Sequence, residues 1–305
     1  MRKAFVTGCC GFIGHHLTRR LKQDGWYIVG VDDMSAGDKE WIKYCDDFFE
    51  EQVELPVNYP CALEDKFDVV FHLAAKPRVP YSIEHPLETH EANTTATLVV
   101  LNLISKLSKP VPFVYSSSSS VYGNQPMPLI ETMTPAPLSP YAAQKLMGEH
   151  YCRIFSQLKN VPTVSLRYFN VYGSEQTADH PYAPVVAKFL KRREDGKFLT
   201  IYGDGEQRRD FTHVDDVVEA NLAAYRFLTD TEEAPIEYTD HVFNIGRGHN
   251  ISINELARLI SPKKIAYEAE RPGDIRQTFA DISQAVKCLN WMPRRRIEEW
   301  IQTQL

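Results

Sequence analysis

The 305-residue chain has no basic excess, no long apolar run and no paired-cysteine spacing. Its 34 Lys and Arg stand against 40 Asp and Glu, a formal net charge of -6. A chain so balanced lacks the cationic surface that holds a phosphate backbone, which excludes nucleic acid as its main partner. No apolar stretch reaches the roughly 18 residues of a membrane span, so no membrane partner is expected. Cys9, Cys10, Cys45, Cys61, Cys152 and Cys288 show neither the CxxC spacing of a zinc site nor the density of a disulfide scaffold. No metal is expected, and the thiols are read as reduced. The opening MRKAFVTGCCGFIG turns into a glycine-rich loop before the apolar core of an export signal forms, which predicts a cytosolic protein. What remains is an ordinary globular composition, 43% hydrophobic and 24% charged, on a chain long enough for about two domains.

Short runs rich in β-branched and aromatic residues alternate with longer amphipathic stretches: KAFVT then 12–24, YIVGVD then 38–44, FDVVFHLAA then 83–107, VPFVYSS then 139–158, and finally VPTVSLRYF. That alternation predicts βαβ units. The strands are nearly continuous apolar runs, as expected where helices cover both faces of a parallel sheet. The fold expected is therefore α/β, a doubly wound parallel (Rossmann-type) sheet with a smaller, interleaved C-terminal substrate domain. Residues 1–167 plus about 212–246 are assigned to the sheet domain, and about 168–211 plus 247–305 to the smaller one. The serine run 116–120 sits between apolar VPFVY and VYG, so it reads as a strand end and not a linker.

GCCGFIG spaces Gly8, Gly11 and Gly14 three residues apart, directly after the first strand and at the start of the first helix. There the glycines allow a tight turn and a close backbone approach to a pyrophosphate, whose charge meets free N–H groups at the helix start. The second strand ends in Asp32, near the offset of a ribose-binding acid. A carboxylate there accepts bonds from a ribose 2′-hydroxyl and repels a 2′-phosphate, so NAD is expected over NADP, with Asp33 adding to the repulsion. Cys9 and Cys10 read as small residues where the backbone crowds a ligand, not as a redox pair. In YAAQK, Tyr141 and Lys145 fall on one face of a helix that opens after the serine-rich strand end. An ammonium beside a phenol lowers the phenol's pKa and suits it to act as a base near neutral pH.

GCCGFIG, Asp32, HLAA (72–75), Asn93, SSSSSVYG (116–123), YAAQK, LRYFNVYG (166–173), GDGEQRRDF (203–211) and RPGD (271–274) occur in this order. The set resembles the extended short-chain dehydrogenases/reductases, most closely the UDP-hexose 4-epimerases, and the likeness runs nearly end to end. The resemblance implies a triad of Ser118, Tyr141 and Lys145, with Ser117 and Ser119 as alternatives for the serine. It implies cofactor contacts from Gly8, Gly11, Phe12, Ile13, Gly14, Asp32, Asp33, Ala74, Ala75, Asn93, Tyr141, Lys145 and Tyr168. Tyr141 would take the proton of the sugar 4-hydroxyl while the C4 hydride passes to NAD, and Ser118 would hold the oxygen. The 4-keto sugar would then turn over and take the hydride back on its other face. Dehydratases and decarboxylases of similar sequence carry a carboxylate where this chain has Ser119 and Ser120, and a hydroxyl cannot do that acid-base work.

For the substrate, the resemblance implies Ser118, Asn170, Arg209 and Arg271 at the oxygen and diphosphate, Asp274 at the nucleotide ribose, and Tyr202 stacked on the base. Thr278 stands where glucose-specific epimerases tend to carry a bulky Tyr, and VPYSI (79–83) looks like the segment of epimerases that prefer N-acetylated sugars. UDP-GlcNAc/UDP-GalNAc is therefore the expected pair, with activity on UDP-Glc/UDP-Gal alongside. A UDP-glucuronate 4-epimerase is the nearest alternative, since Arg78 could meet a carboxylate. A non-catalytic NAD-binding scaffold is the alternative of a different class, although such proteins typically lose the Tyr or Lys retained here. The resemblance also implies a homodimer paired through helices 83–107 and 139–158. The segment 45–65 lacks the usual Gly-Asp pair that brackets adenine, and Lys76, Pro77 and Arg78 after HLAA depart from the pattern.

Overall fold

A computed structural model of the chain describes residues 1–60, 67–178, 183–230, 241–270 and 275–305. The first half runs β1 (Lys3–Thr7), α1 (Phe12–Gln23), β2 (Tyr27–Asp32), a 3₁₀ turn (Lys39–Tyr44), β3 (Asp47–Glu50) and β4 (Val69–His72). Next come α2 (Val79–Glu84), α3 (Pro86–His90), a π turn (Glu91–Thr95), α4 (Ala96–Ile104), β5 (Phe113–Ser118) and a 3₁₀ turn (Ser119–Tyr122). Then follow α5 (Pro140–Lys159), β6 (Thr163–Tyr168), β7 (Val171–Tyr172), α6 (Val185–Glu194), β8 (Leu199–Tyr202), β9 (Arg208–Asp210) and β10 (Thr212–His213). The chain ends with α7 (Val214–Thr229), β11 (Val242–Ile245), β12 (Asn250–Ser252), α8 (Ile253–Ile260), β13 (Ile265–Glu268), α9 (Ser283–Leu289) and α10 (Ile297–Thr303).

Seven strands form one sheet in the order β11-β6-β5-β4-β1-β2-β3, and every neighbouring pair is parallel. This is the doubly wound sheet that the apolar runs predict. Core residues fill both faces: Leu17, Leu21, Trp26 and Val217 on one, and Val100, Leu101, Ile104 and Cys152 on the other. The order reverses between β1 and β4, and the crevice beyond the ends of those two strands is where such sheets take their ligands.

The helix expected over 83–107 is instead α2, α3, the π turn and α4. Pro86 lacks an amide hydrogen and so begins a new helix. A third cluster, around Val186, Phe189, Ile201, Leu256 and Ile301, forms a smaller lobe from α6, β8, α8 and α10. Ala285, Leu289 and Trp291 pack with the sheet's core, and the Trp291 indole donates to the carbonyl of Asp216 at 2.9 Å. The chain thus returns to the sheet before its last helix. We propose the two-domain division with 283–291 moved to the sheet side. Among the described residues, no helix is long and apolar enough to cross a membrane.

Candidate active site

A cavity of about 1250 Å³ lies across the crevice between β1 and β4 and extends to the smaller lobe. Single-ligand pockets measure roughly 300–1,000 Å³, so this one has room for more than one ligand. Gly8, Gly11 and Gly14 line it. Gly8 has φ +68°, and a Cβ there would stand 2.7 Å from the Ala74 amide nitrogen. On Gly14 a Cβ would fall 1.9 Å from the Gly8 carbonyl oxygen. Backbone meets backbone at both points, so no side chain fits, and the start of α1 is left open toward the cavity.

Asp32, at the end of β2, is 6% exposed and lines the cavity. Burial raises its carboxyl above the ordinary value, opposed by the amides of Cys10 and Met34, which donate to its two oxygens at 2.9 Å. Asp33 beside it is not free. Burial works against its charge, but the Ser35 hydroxyl and amide and the Lys76 ammonium outweigh burial and hold the carboxyl below its ordinary value. Lys76 Nζ is 3.3 Å from Asp33, so repulsion of a 2′-phosphate falls mainly to Asp32. Ala74 and Ala75 line the opposite wall, and Glu51, Val53 and Glu54 occupy the wall where a Gly-Asp pair was missed. Asn93 lies behind the wall, 1% exposed. Its Oδ1 accepts from the Lys76 amide at 2.7 Å and its Nδ2 donates to Gln144 at 2.7 Å, so it ties the 74–77 loop to α5.

Ser139 caps α5 by accepting from the Ala142 amide at 3.2 Å, and Pro140 opens the helix. Gly148 lets α5 approach β5, since a Cβ there would meet the Tyr115 hydroxyl at 2.1 Å. Tyr141 and Lys145 are thereby pressed against the end of β5. Ser118 is the serine that draws the Tyr141 phenol's pKa down, which separates the serines. Ser118 Oγ also accepts from the Ser120 amide and hydroxyl at 3.2 and 2.9 Å. Ser116 Oγ lies 3.1 Å from the Tyr168 hydroxyl, and Ser117 donates to the buried carboxylate of Glu149.

Lys145 is 3% exposed and its Nζ donates to the Ser116 carbonyl at 2.8 Å. Burial lowers its pKa to about 7. The Tyr141 phenol, in the protein alone, stands above its ordinary value. Burial pushes it up, and the two influences pulling it down are the Ser118 hydrogen bond and the charge of Arg78. Arg78, a departure from the family pattern and the residue that could meet a carboxylate, lines the same cavity. Tyr168 lines the cavity, donates to Asn221 at 3.0 Å, and is pushed up to about 12 by burial.

On the smaller lobe's side, Asn170, Arg209 and Thr278 line the cavity. Asn170 adopts φ +25° and its Nδ2 donates to the Asp210 carbonyl at 2.8 Å and to Thr278 Oγ1 at 3.0 Å. The Asp210 amide donates to the same Oγ1 at 3.1 Å, so the small side chain is fixed in place. Tyr202 is not among the lining residues. Arg271 and Asp274 lie outside the described residues.

Among the described residues, two groups of side chains are close enough to share a cation, Cys9/Cys10/Asp32 and His15/His16/Glu175. Both are otherwise engaged: Asp32 by backbone amides, and Glu175 by Arg19 at 3.0 Å. The glycine turn, the open helix start and the acid at the end of β2 suit a dinucleotide with an unphosphorylated ribose.

The model of the NAD dependent epimerase/dehydratase family matches residues 4–246. The UDP-glucuronate 4-epimerase of Thermodesulfobacterium geofontis is 34% identical, over 97% of this chain and 93% of its own. Among solved structures, the UDP-glucose 4-epimerase of Thermotoga maritima, with UDP-glucose, superposes with a TM-score of 0.89 at 33% identity, covering 99% of this chain and 97% of that one. The UDP-N-acetylglucosamine 4-epimerase of Methanobrevibacter ruminantium M1, in complex with UDP-N-acetylmuramic acid, gives 0.88 at 33% identity, covering 99% and 96%. The chain belongs to the NAD-dependent epimerase/dehydratase family, and NAD is its cofactor.

Proposed function

We propose that the protein epimerises C4 of a UDP-hexose through a transient 4-keto sugar. The observation that carries this reading is a single cavity that Ser118, Tyr141 and Lys145 line together with the glycine turn and the smaller lobe. NAD, when bound, supplies the acceptor and donor for the C4 hydride. The chain's own residues do the rest. The Tyr141 oxygen takes the 4-hydroxyl proton and later returns it, Ser118 donates to the same oxygen as it becomes a carbonyl, and Lys145 holds the strand end and the cofactor ribose. Arg209 offers a fork to the diphosphate, with Asn170 beside it. The hydride taken from one face of C4 returns to its other face, so no net oxidation occurs.

The preferred pair in this reading is UDP-GlcNAc/UDP-GalNAc, supported by the small, fixed Thr278 on the cavity wall. Purified protein given UDP-GlcNAc without added cofactor is expected to form the C4 epimer. Thr278→Tyr should cut turnover of the N-acetylated pair by about 10- to 200-fold, the range a steric change in a pocket produces, and spare UDP-Glc. Side-by-side rates on UDP-GlcNAc, UDP-GalNAc, UDP-Glc and UDP-Gal check this; exclusive action on the non-acetylated pair defeats it. The second reading, a UDP-glucuronate 4-epimerase, is favoured by Arg78 on the cavity wall, and adding that sugar to the comparison decides between them.

The assembly we propose is a homodimer. Met147, Ile154 and Leu158 follow one stripe of α5, at 42%, 40% and 74% exposure. Ile83 and Leu87 extend the apolar surface at 62% and 82%, and such patches mark interaction sites. The wild type should sediment as a dimer and the Ile154→Glu/Leu158→Glu variant as a monomer. A monomeric wild type rejects the assembly.

A further inference from the structure

Lys76 departs from the sequence pattern, and the C4 chemistry leaves it without a part. It follows β4, whereas Asp33 and Ser35 follow β2, and the strand between those two in the sheet is β1, which carries the glycine turn. The Lys76 ammonium spans that interval. Its Nζ donates to the Ser35 hydroxyl at 2.7 Å and stands 3.3 Å from the Asp33 carboxylate, its one ion-pair partner among the described residues. Gly8, Gly11, Asp32, Asp33, Ser35 and Lys76 all line the one cavity.

Both ends of this bridge are stiffly mounted. The buried Asn93 holds the Lys76 backbone at both of its polar groups: Oδ1 accepts from the amide at 2.7 Å, and Nδ2 donates to the carbonyl at 3.4 Å. Gln144 of α5 fixes Asn93 in turn at 2.7 Å. At the other end, the Asp33 carboxylate accepts from the Ser35 amide and hydroxyl at 3.0 and 2.6 Å. That loop runs on to Asp38, whose amide donates to the Cys10 carbonyl of the glycine loop at 3.4 Å. The Ala74 amide donates to Thr7 Oγ1, at the end of β1, at 3.2 Å. Three loops and one lysine side chain therefore close a ring around the floor of the crevice. The loops are held through their backbones, and the lysine is joined only by the end of a flexible four-carbon stem. It is the part of the ring that opens at least cost.

We propose that Lys76 is a positioning residue for the cofactor, a latch: NAD seated on the glycine turn is enclosed by the bridge, and it enters or leaves when Lys76 lets go of Ser35 and Asp33. The bridge joins protein groups to protein groups, so it slows entry and exit alike and leaves affinity nearly unchanged. A latch suits the redox-neutral course, in which the hydride returns to the sugar and the cofactor is never exchanged. The inference concerns the cofactor alone and is read without any sugar, so it stands or falls apart from the C4 reaction.

Full-length protein loaded with NADH and chased with excess NAD reports release through the reduced cofactor's fluorescence, and mixing NADH with protein freed of cofactor reports capture. Lys76→Met should speed both about tenfold, the low end of what a hydrogen bond from a charged group is worth, with the dissociation constant within about threefold of wild type. Ser35→Ala removes the other half of the 2.7 Å contact and should speed both as well. The double variant should be no faster than Lys76→Met, because the two changes delete one shared contact. Release as slow as wild type in both single variants overturns the proposal. Faster release with unchanged capture, so that affinity falls by the same factor, also overturns it and makes Lys76 a direct contact of the cofactor.

Discussion

Replacing Tyr141 with Phe should lower epimerisation by about a hundred- to ten-thousand-fold, the contribution of a positioned proton carrier, with the fold intact. The ring is 8% exposed and packed at the start of α5. Its backbone amide is held by Ser82 whatever the side chain carries. The substitution deletes a single oxygen from a ring that lines the cavity, so loss of rate without loss of thermal stability or bound NAD is the expected signature. Turnover of UDP-GlcNAc, cofactor content and thermal unfolding measured on one preparation check it. A near wild-type rate in the Phe variant would remove the proposed chemistry. A wild type that binds NAD yet leaves all UDP-sugars unchanged would favour the scaffold alternative.

The largest stability effect should come from Arg167→Met. Arg167 and Glu149 have side-chain exposures of 4% and 5% and form a two-point pair, Nε to Oε1 at 2.9 Å and Nη2 to Oε2 at 2.7 Å. Ser117 donates to the same carboxylate, and the guanidinium lies 4.6 Å over the Tyr122 ring. Without Arg167, a buried carboxylate keeps only a serine hydroxyl. Breaking such a pair costs about 3–5 kcal/mol, a large fraction of the roughly 5–15 kcal/mol that holds a domain folded. Replacing both partners, as in Arg167→Met/Glu149→Leu, should recover much of the loss, because the pair is then gone with its desolvation cost. Urea unfolding of the single and double variants measures this. A single variant within about 1 kcal/mol of wild type would show that the pair matters little.

The same pair explains what the sequence alone could and could not say. The sheet was legible because buried parallel strands must be apolar throughout, and KAFVT, YIVGVD and FDVVFH are. The glycine turn, Asp32, and Tyr141 with Lys145 were legible because each depends on local spacing. The choice among five serines was not, since it turns on Glu149 capturing Ser117 and Tyr168 meeting Ser116. Tyr202 is not among the residues that line the cavity. Leu199 and Ile201 are buried at 0% and 1%, and alternation along β8 puts Tyr202 on the opposite face from them.

The chain passes repeatedly between the sheet and the smaller lobe, and each passage is stitched. β7 pairs with β10, and Leu129 bridges to Ala280. Asp216 fastens the C-terminal stretch by accepting from the amides of Arg294 and Arg295 at 3.1 and 2.9 Å. Two bodies sewn together in this way cannot swing apart as if on a single hinge. In the proposed reaction both faces of a sugar meet one tyrosine, and the economical course is to hold the protein still, anchor the nucleotide, and let the hexose turn in the part of the 1250 Å³ cavity that cofactor and nucleotide leave.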